Sequence, residues 1–279
     1  MNKNYTKQER LNLVVDMYVN QQKSISEISR ELGIGWNTAK RDLQSANIEI
    51  ISKRGRVIPN STVRPNLFEK IETEEDAYWL GFLYADGTVG STRNEIKFEL
   101  QERDLEAVEN FHTYCGNKNK IFRHVLKRGE KEYISYGSSF TNSIVKQNLI
   151  ALGCVPNKSL ILTCPTEDQV PQHLIHHFAR GYIDGDGCLA MDSNKTYVTC
   201  VEILGTREFL LGLSDRMEWS HTVLDNPKGG NIYRLRIRGG RQNVDYELTR
   251  MYGECSCYLR RKRERFLKGH LLFQQVNPT

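Results

Sequence analysis

The sequence predicts an α+β chain in which two pseudo-symmetric units, each with the order αββαββα, follow a small all-α domain. A short motif occurs twice, 100 residues apart, and a similar series of strand and helix patterns follows each copy. Three helical patterns precede both copies. The predicted domains are residues 1–55, a Pro-containing linker at 56–70, a first unit at 71–167 and a second unit at 168–279.

The net charge of +5 is unevenly distributed over the 279 residues. Residues 1–70 hold twelve basic and seven acidic side chains, whereas residues 71–279 hold 27 of each. The whole excess therefore lies in the first quarter, which favours a separate anion-binding module there. No apolar stretch approaches the roughly 20 residues that span a bilayer, and the first residues do not resemble a signal peptide. We expect no membrane contact and a cytoplasmic location.

The cysteines support a reducing, intracellular compartment. Seven are present, an odd number, and no two have the C-x-x-C spacing of a zinc ribbon. We therefore expect reduced, mostly packed thiols rather than a disulfide framework.

The all-α domain is predicted to hold three short helices. Thr6 can cap the first and Ser24 the second, Ile25–Leu32. Gly33 tolerates the positive φ of a sharp turn into a third helix at about Trp36–Ala46.

This arrangement looks like a helix-turn-helix, in which the last helix enters the major groove of DNA. Amide side chains can pair with adenine edges, and basic ones can hold phosphate or guanine. The alternative is a small helical bundle with a solvated basic face. The residues predicted to contact DNA are Trp36, Asn37, Lys40, Arg41 and Gln44.

The repeated motif reads AYWLGFLYADG at residues 77–87 and FARGYIDGDG at residues 178–187. Each copy is predicted to be a helix that ends at its aspartate, Asp86 or Asp186, before a terminating glycine. Thr73 with Asp76 can cap the first helix, and Pro171 can lie in the first turn of the second.

The segments after the motifs also match between the two units. Each unit shows a strand, a helix, further strand pattern and a last helix. The first unit's segments are Ile96–Leu100, Asp104–Tyr114, Ile121–Val125, Tyr133–Tyr136 and Ser139–Leu152. The second unit's segments are Val198–Leu204, Glu208–Met217, Ile232–Arg238 and Gln242–Tyr252.

Small residues four apart on each motif helix predict that the two helices pack against each other. These residues are Gly81 and Ala85, and Gly181 and Gly185. Such packing brings the two aspartates together at helix ends that already carry partial negative charge. A divalent cation with oxygen ligands would offset the repulsion, and Mg²⁺ suits a site that also takes phosphate oxygens.

WLGFLYADG (Trp79–Gly87) and ARGYIDGDG (Ala179–Gly187) resemble the signature of LAGLIDADG homing endonucleases in the single-chain, two-motif form. The resemblance covers about residues 71–275. It implies a saddle of two β-sheets on double-stranded DNA and a monomer that cuts both strands with Mg²⁺, for which Mn²⁺ can substitute. It also implies that Asp86 and Asp186 bind metal, with help from the Ala85 or Gly185 carbonyl.

Further site residues follow from the resemblance. A polar residue at the end of a strand is expected in each unit; Gln101 fits, whereas the second unit has Gly205. A basic residue is expected near the scissile phosphate, and Lys158 in the first unit and Lys262 or Arg261 in the second are the candidates, the alternative being lysines on a solvated face. Arginines that alternate along one strand are expected to face DNA. These are Arg234, Arg236 and Arg238.

Two other functions remain open on the same core. A non-cutting DNA-binding regulator is one, although in such regulators the helix-turn-helix follows the core and the acids are typically lost. An RNA maturase is the other. Binding without Mg²⁺-dependent nicking would favour the first, and salt-resistant binding to a structured intron would favour the second.

Overall fold

The computed structural model describes residues 5–21, 23–46, 48, 63–64, 66–227 and 229–276, with the side chains of 272–276 excepted. The chain divides into two compact units, Met1–Pro59 and Asn60–Thr279. Within the described ranges, no helix is both long enough and apolar enough to cross a membrane.

The smaller unit is the predicted trio of helices, α1 (Lys7–Val19), α2 (Ile25–Leu32) and α3 (Trp36–Ser45). The first two begin with capping boxes in which Thr6 and Ser24 each exchange hydrogen bonds with a glutamate three residues on. Gly33 has the expected left-handed φ of +66°. The core of this unit is formed by Val14, Met17, Tyr18, Ile25, Ile28, Ala39 and Leu43.

The larger unit confirms the αββαββα order twice. Its first half contains α4 (Glu74–Asp86), β1 (Gly87–Val89), β2 (Glu95–Gln101), α5 (Leu105–Tyr114), β3 (Phe122–Arg128), β4 (Lys131–Thr141) and α6 (Ser143–Ala151). Its second half contains α7 (Ile175–Asp186), β5 (Gly187–Ala190), β6 (Cys200–Gly205), α8 (Arg207–Arg216), β7 (Thr222–Asp225), β8 (Tyr233–Ile237) and α9 (Gly240–Tyr252). A further helix, α10 (Arg260–Val276), follows.

Each half contributes one antiparallel four-stranded sheet. The strand orders, β1-β2-β4-β3 and β5-β6-β8-β7, are equivalent. Buried residues alternate with more exposed ones along β2 and β8, so one face of each sheet covers the apolar core and the other is open. The pseudo-symmetry predicted from the repeat is therefore present in the sheets as well as in the motif helices.

Several boundaries differ from the sequence prediction. Ser139 belongs to β4, where it pairs with Lys97 of β2, and the helix begins only after Asn142 caps it. Pro171 lies before a 3₁₀ turn (Gln172–Leu174) rather than in the first turn of α7. Strands β1, β5 and β7 were not predicted, because strands of three or four residues are too short to show a period, and helix α10 was not predicted either.

The segment predicted as a linker, residues 56–70, is only partly described. Residues 56–62 and 65 lie outside the described ranges. Val63, Leu67 and Phe68 are buried in the core of the larger unit. The second half of this segment therefore packs with the larger unit, because its apolar side chains have a core to enter.

Candidate active site

The two motif helices, α4 and α7, are in backbone contact. A Cβ atom added at Gly181 would lie 2.0 Å from the carbonyl oxygen of Tyr78, and one added at Gly81 would lie 2.1 Å from that of Phe178. The contact is reciprocal across the pseudo-twofold relation between the halves. Any side chain at either position would push the helices apart, so the predicted small-residue packing is confirmed.

This contact continues to the C-terminal ends of both helices. A Cβ atom added at Gly185 would lie 2.3 Å from the Ala85 Cβ and 3.1 Å from the Asp86 Oδ2. The carboxyl group of one helix therefore lies beside the backbone of the other, one residue before Asp186. The structure thus brings Asp86, Asp186, Ala85 and Gly185 together, as the sequence predicted.

Gly87 and Gly187 end the helices where the sequence predicts, but they do so through close packing rather than through backbone conformation. Their φ values are −72° and −95°, so neither adopts the left-handed conformation of a usual glycine stop. A Cβ atom would instead lie 2.6 Å from the carbonyl oxygens of Leu83 and Ile183, respectively. Glycine is needed here for space, because each chain turns directly from the helix into β1 or β5.

The two aspartates occupy an electrostatically strained position. Both side chains are accessible to solvent, yet they are crowded by surrounding protein. Partial desolvation, and then the neighbouring Asp186, raise the pKa of Asp86 to about 6. Desolvation also raises the pKa of Asp186 above its usual range. The nearby lysines, Lys158 and Lys262, oppose both shifts.

The two predicted lysines are buried and point at the ends of the motif helices. Lys158 Nζ donates to the Gly87 carbonyl. Lys262 Nζ donates to the carbonyls of Ile183, of Asp184 at 2.9 Å and of Gly187 at 2.7 Å. Desolvation lowers the pKa of Lys262 to about 8. Because both ammonium groups are buried, neither lysine lies on a solvated face.

The donor set at the helix ends fits a hard divalent cation. Two carboxylates and the neighbouring backbone carbonyls of Ala85 and Gly185 supply only oxygen. In the ranges that the structure describes, no group of three His, Cys, Asp or Glu side chains gathers as a metal cage.

The raised pKa of Asp86 leads to a stability prediction for the metal-free protein. The folded-state pKa lies above the unfolded one, so the folded state binds more protons between about pH 4 and pH 6 and loses stability as pH rises through that window. We expect Asp86→Asn, in EDTA at pH 7, to unfold at a higher temperature than the unmodified protein, with the difference shrinking below pH 5. Calorimetry at both pH values measures this. A variant that melts lower at pH 7 would show that the carboxylate is not strained.

A buried polar network behind the site was missed by the sequence analysis. Arg180 is fully buried and donates to Glu74 at 2.6 Å and to the carbonyls of Met251 and Cys257. Asp184 is also buried and accepts three hydrogen bonds. The sequence did distinguish Asp184, because the second motif has an acid at the position where the first motif has Tyr84.

Other predicted residues lie around the site. Gln101 is exposed at the end of β2, and Gly205 occupies the equivalent end of β6, where Phe209 and Tyr182 fill the space of a side chain. Arg261 pairs with the buried Asp104 of the first half at 3.0 Å. Its guanidinium therefore joins the two halves, a contact between distant residues that no local pattern predicts.

The predicted arginines of the second sheet lie on its open face. Arg234 and Arg236 flank the buried Leu235 along β8, and Arg238 is exposed just beyond the strand. Asp225 of β7 holds Arg234 at 3.1 Å and Arg236 at 2.5 Å. This acid, which the sequence analysis missed, fixes both guanidinium groups.

In the smaller unit, α3 presents the predicted polar side chains outward. Asn37, Arg41 and Gln44 are exposed, and Lys40 lies over the ring of Trp36 at 5.5 Å. Ala39 and Leu43 face the core. Asp42, buried on α3, pairs with Arg10 of α1 at 2.7 Å and fixes this helix in place.

Comparisons with known proteins give a likeness in structure without one in sequence. No protein-family model matches the chain, and no curated protein matches it. Among solved structures, the homing endonuclease I-WcaI bound to its DNA recognition sequence has a TM-score of 0.48 at 14% identity, covering 73% of this chain and 92% of its own. The LAGLIDADG homing endonuclease I-LtrWI bound to target DNA has 0.46 at 10%, covering 73% and 91%. The N-terminal LAGLIDADG domain of DUF199/WhiA has 0.40 at 14%, covering 72% and 96%.

Proposed function

We propose that this chain is a site-specific endonuclease that cuts both strands of DNA with divalent metal held by Asp86 and Asp186. The observation that carries the proposal is the contact between the ends of α4 and α7, which sets one motif aspartate from each half beside the other. Two equivalent acids, related by the pseudo-twofold symmetry of the halves, suit the cleavage of the two antiparallel strands of a DNA duplex. The resemblance of both motifs to the LAGLIDADG signature supports the same reaction.

The residues at the ends of the motif helices and beside them would have different roles in the reaction. Asp86 and Asp186, with the carbonyls of Ala85 and Gly185, would hold Mg²⁺, which when bound makes water a better nucleophile and stabilises the leaving oxygen. Lys158 and Lys262 would place positive charge beside the scissile phosphates, where negative charge grows in the transition state. We assign Gln101 to orienting water in the first half only.

DNA would lie on the open sheet faces. Arg234 and Arg236, whose guanidinium groups Asp225 holds on the open face, would contact DNA in the major groove, where pairing of arginine with guanine is the commonest specific contact to a base. Arg238 and Arg261 would contact phosphate. Residues Trp36, Asn37, Lys40, Arg41 and Gln44 of α3 would form a second DNA contact through the helix-turn-helix.

Selection of cleaved duplexes from a randomised DNA library tests the proposed function. The full chain is incubated with the library in Mg²⁺, in Mn²⁺ and in EDTA, and cut ends are sequenced. We expect a defined site, cut on both strands in either metal and uncut in EDTA. Recovery of bound but uncut duplexes under all three conditions would establish a non-cutting DNA-binding regulator instead.

The helix-turn-helix makes a separate prediction for binding. Arg41→Ala should weaken DNA binding and reduce the slope of log K against log salt by about 0.9, the value for one neutralised phosphate on B-DNA. Lys7→Ala removes the same charge from the exposed start of α1 and serves as the control. Binding titrations in EDTA at several salt concentrations measure both. Equal slopes for Arg41→Ala and the unmodified chain would exclude a phosphate contact at Arg41.

A further inference from the structure

The two halves of the larger unit hold their lysines in different ways. Among the described residues, the hydrogen bonds of Lys158 Nζ run to one carbonyl, that of Gly87, whereas those of Lys262 Nζ run to three. Both ammonium groups are buried, so the difference is not one of exposure. It lies in what fixes the segment that carries each lysine.

A closed series of hydrogen bonds joins Asp184 to Lys262 through Leu259. Its Oδ2 accepts from the Leu259 amide at 2.7 Å, and the Leu259 carbonyl in turn accepts from the Lys262 amide at 2.9 Å. Lys262 Nζ then returns to the Asp184 carbonyl. Leu259 comes directly before α10, so the Asp184 carboxyl group fixes the start of the helix whose first turn holds Lys262.

Two tyrosines complete the coordination of the Asp184 carboxyl group. Tyr252, at the end of α9, donates to Oδ1 at 2.7 Å, and Tyr78, on the motif helix of the first half, donates to Oδ2 at 3.0 Å. Asp184 is 1% exposed, so these bonds do not compete with solvent. The carboxyl group is therefore held from α4, from α9 and from the chain leading into α10.

The equivalent position in the first half is occupied by Tyr84. Its hydroxyl donates to the Leu152 carbonyl at the end of α6, six residues before Lys158. Among the residues described in the first half, no carboxyl group links the motif helix to the lysine segment, because a phenol stands where the second half has an acid. The pseudo-symmetric scaffold therefore carries two unequal arrangements, and Gln101 opposite Gly205 adds a second inequality.

We propose that Asp184 is a positioning residue for Lys262, and that the DNA strand whose cleavage depends on Lys262 is therefore the first to be cut. This inference rests on the proposed endonuclease function. A lysine that is already fixed requires less reorganisation when charge develops on the phosphate, so the second half reacts faster. A nicked duplex with a defined strand cut is the intermediate that this order requires.

Single-turnover cleavage of the selected duplex, labelled differently on its two strands, tests the proposal in the full chain. The Lys262-dependent strand is identified first as the one slowed more by Lys262→Met than by Lys158→Met. In the unmodified protein that strand is cut first. Asp184→Asn slows its cleavage by about tenfold to a hundredfold, the usual cost of losing a residue that orients a site, while the other strand's rate and the DNA Kd change little.

Two further variants separate positioning from a general loss of structure. Tyr252→Phe removes one bond to Asp184 without a buried charge change and should slow the same strand by a smaller factor. Tyr84→Phe removes the hydrogen bond of the residue that stands at the Asp184 position in the first half, and it should leave the rate of the Lys262-dependent strand unchanged. A merely structural role would slow both strands together.

Equal cleavage rates for the two strands in the unmodified protein would overturn the inference. So would Asp184→Asn and Tyr252→Phe variants that slow both strands by the same factor. Either result leaves the proposed endonuclease function standing. A chain that cuts neither strand in any metal would instead remove the proposed function itself.

Discussion

Asp86→Asn and Asp186→Asn are each expected to reduce double-strand cleavage by on the order of a thousandfold, the scale seen when a fixed group that stabilises the transition state is removed. The amide keeps the shape of the side chain but not its charge, so it binds a hard cation poorly. DNA affinity should change little, because the arginines that would hold DNA lie elsewhere. Replacing one acid leaves the other half incomplete as well, since the two carboxyl groups share one region.

Strand cleavage and DNA binding, measured on the same duplex, check this expectation. Asp192→Asn is the matched control, because it removes an exposed carboxylate of the same half six residues after Asp186. The control should cut at the normal rate. Normal cutting by Asp86→Asn or Asp186→Asn would exclude that residue from the reaction.

Gly181→Ala is expected to destabilise the larger unit by about 3 kcal/mol, at the upper end of the cost of overpacking a core. The new methyl group would lie 2.0 Å from the Tyr78 carbonyl oxygen and 2.9 Å from the Phe82 amide nitrogen. Both are backbone atoms of a helix, which cannot move without displacing the whole of α4. Because the same helices carry the aspartates, cleavage should fall even where the variant remains folded.

Gly205→Ala provides a comparison inside the same half. Its methyl group would meet side-chain atoms of Phe209 at 3.1 Å and Tyr182 at 3.2 Å, which can shift by a few tenths of an ångström. Urea unfolding of both variants measures the difference in free energy. If Gly181→Ala were no less stable than Gly205→Ala, the helices would not be in the contact described.

Much of the fold was accessible from sequence because local patterns agreed with the tertiary contacts. The capping residues Thr6, Ser24 and Thr73 predicted three helix starts, each within one residue. The repeat predicted both the duplication and the pairing of α4 with α7. A glycine on each motif helix, four residues before another small residue, was sufficient to predict this pairing, because small residues at that spacing let two helix backbones approach closely.

The parts that could not be predicted depend on partners distant in the chain. Asp225 holds two arginines across a sheet, and Asp104 meets Arg261 from the other half. The spacing of apolar residues within one segment contains no information on such pairs. Asp184 was visible as an acid in an apolar motif, but its link to Lys262 depends on the path of the chain from α9 to α10.

The terminating glycines show a different limit. Sequence correctly located the helix ends at Gly87 and Gly187, but it did not reveal why glycine is needed there. The pattern of a glycine after a helix usually reports a left-handed residue. Here the strand starts at once, and the requirement is for the space beside the Leu83 and Ile183 carbonyls.

Electron paramagnetic resonance of Mn²⁺ added to the protein–DNA complex tests most directly whether Asp86 and Asp186 hold a cation together. Mn²⁺ binding to the unmodified chain is compared with binding to Asp86→Asn, Asp186→Asn and Asp192→Asn. We predict that each of the first two substitutions weakens Mn²⁺ binding and that the third leaves it unchanged. Mn²⁺ bound equally well by all four proteins would contradict a metal site between the motif aspartates.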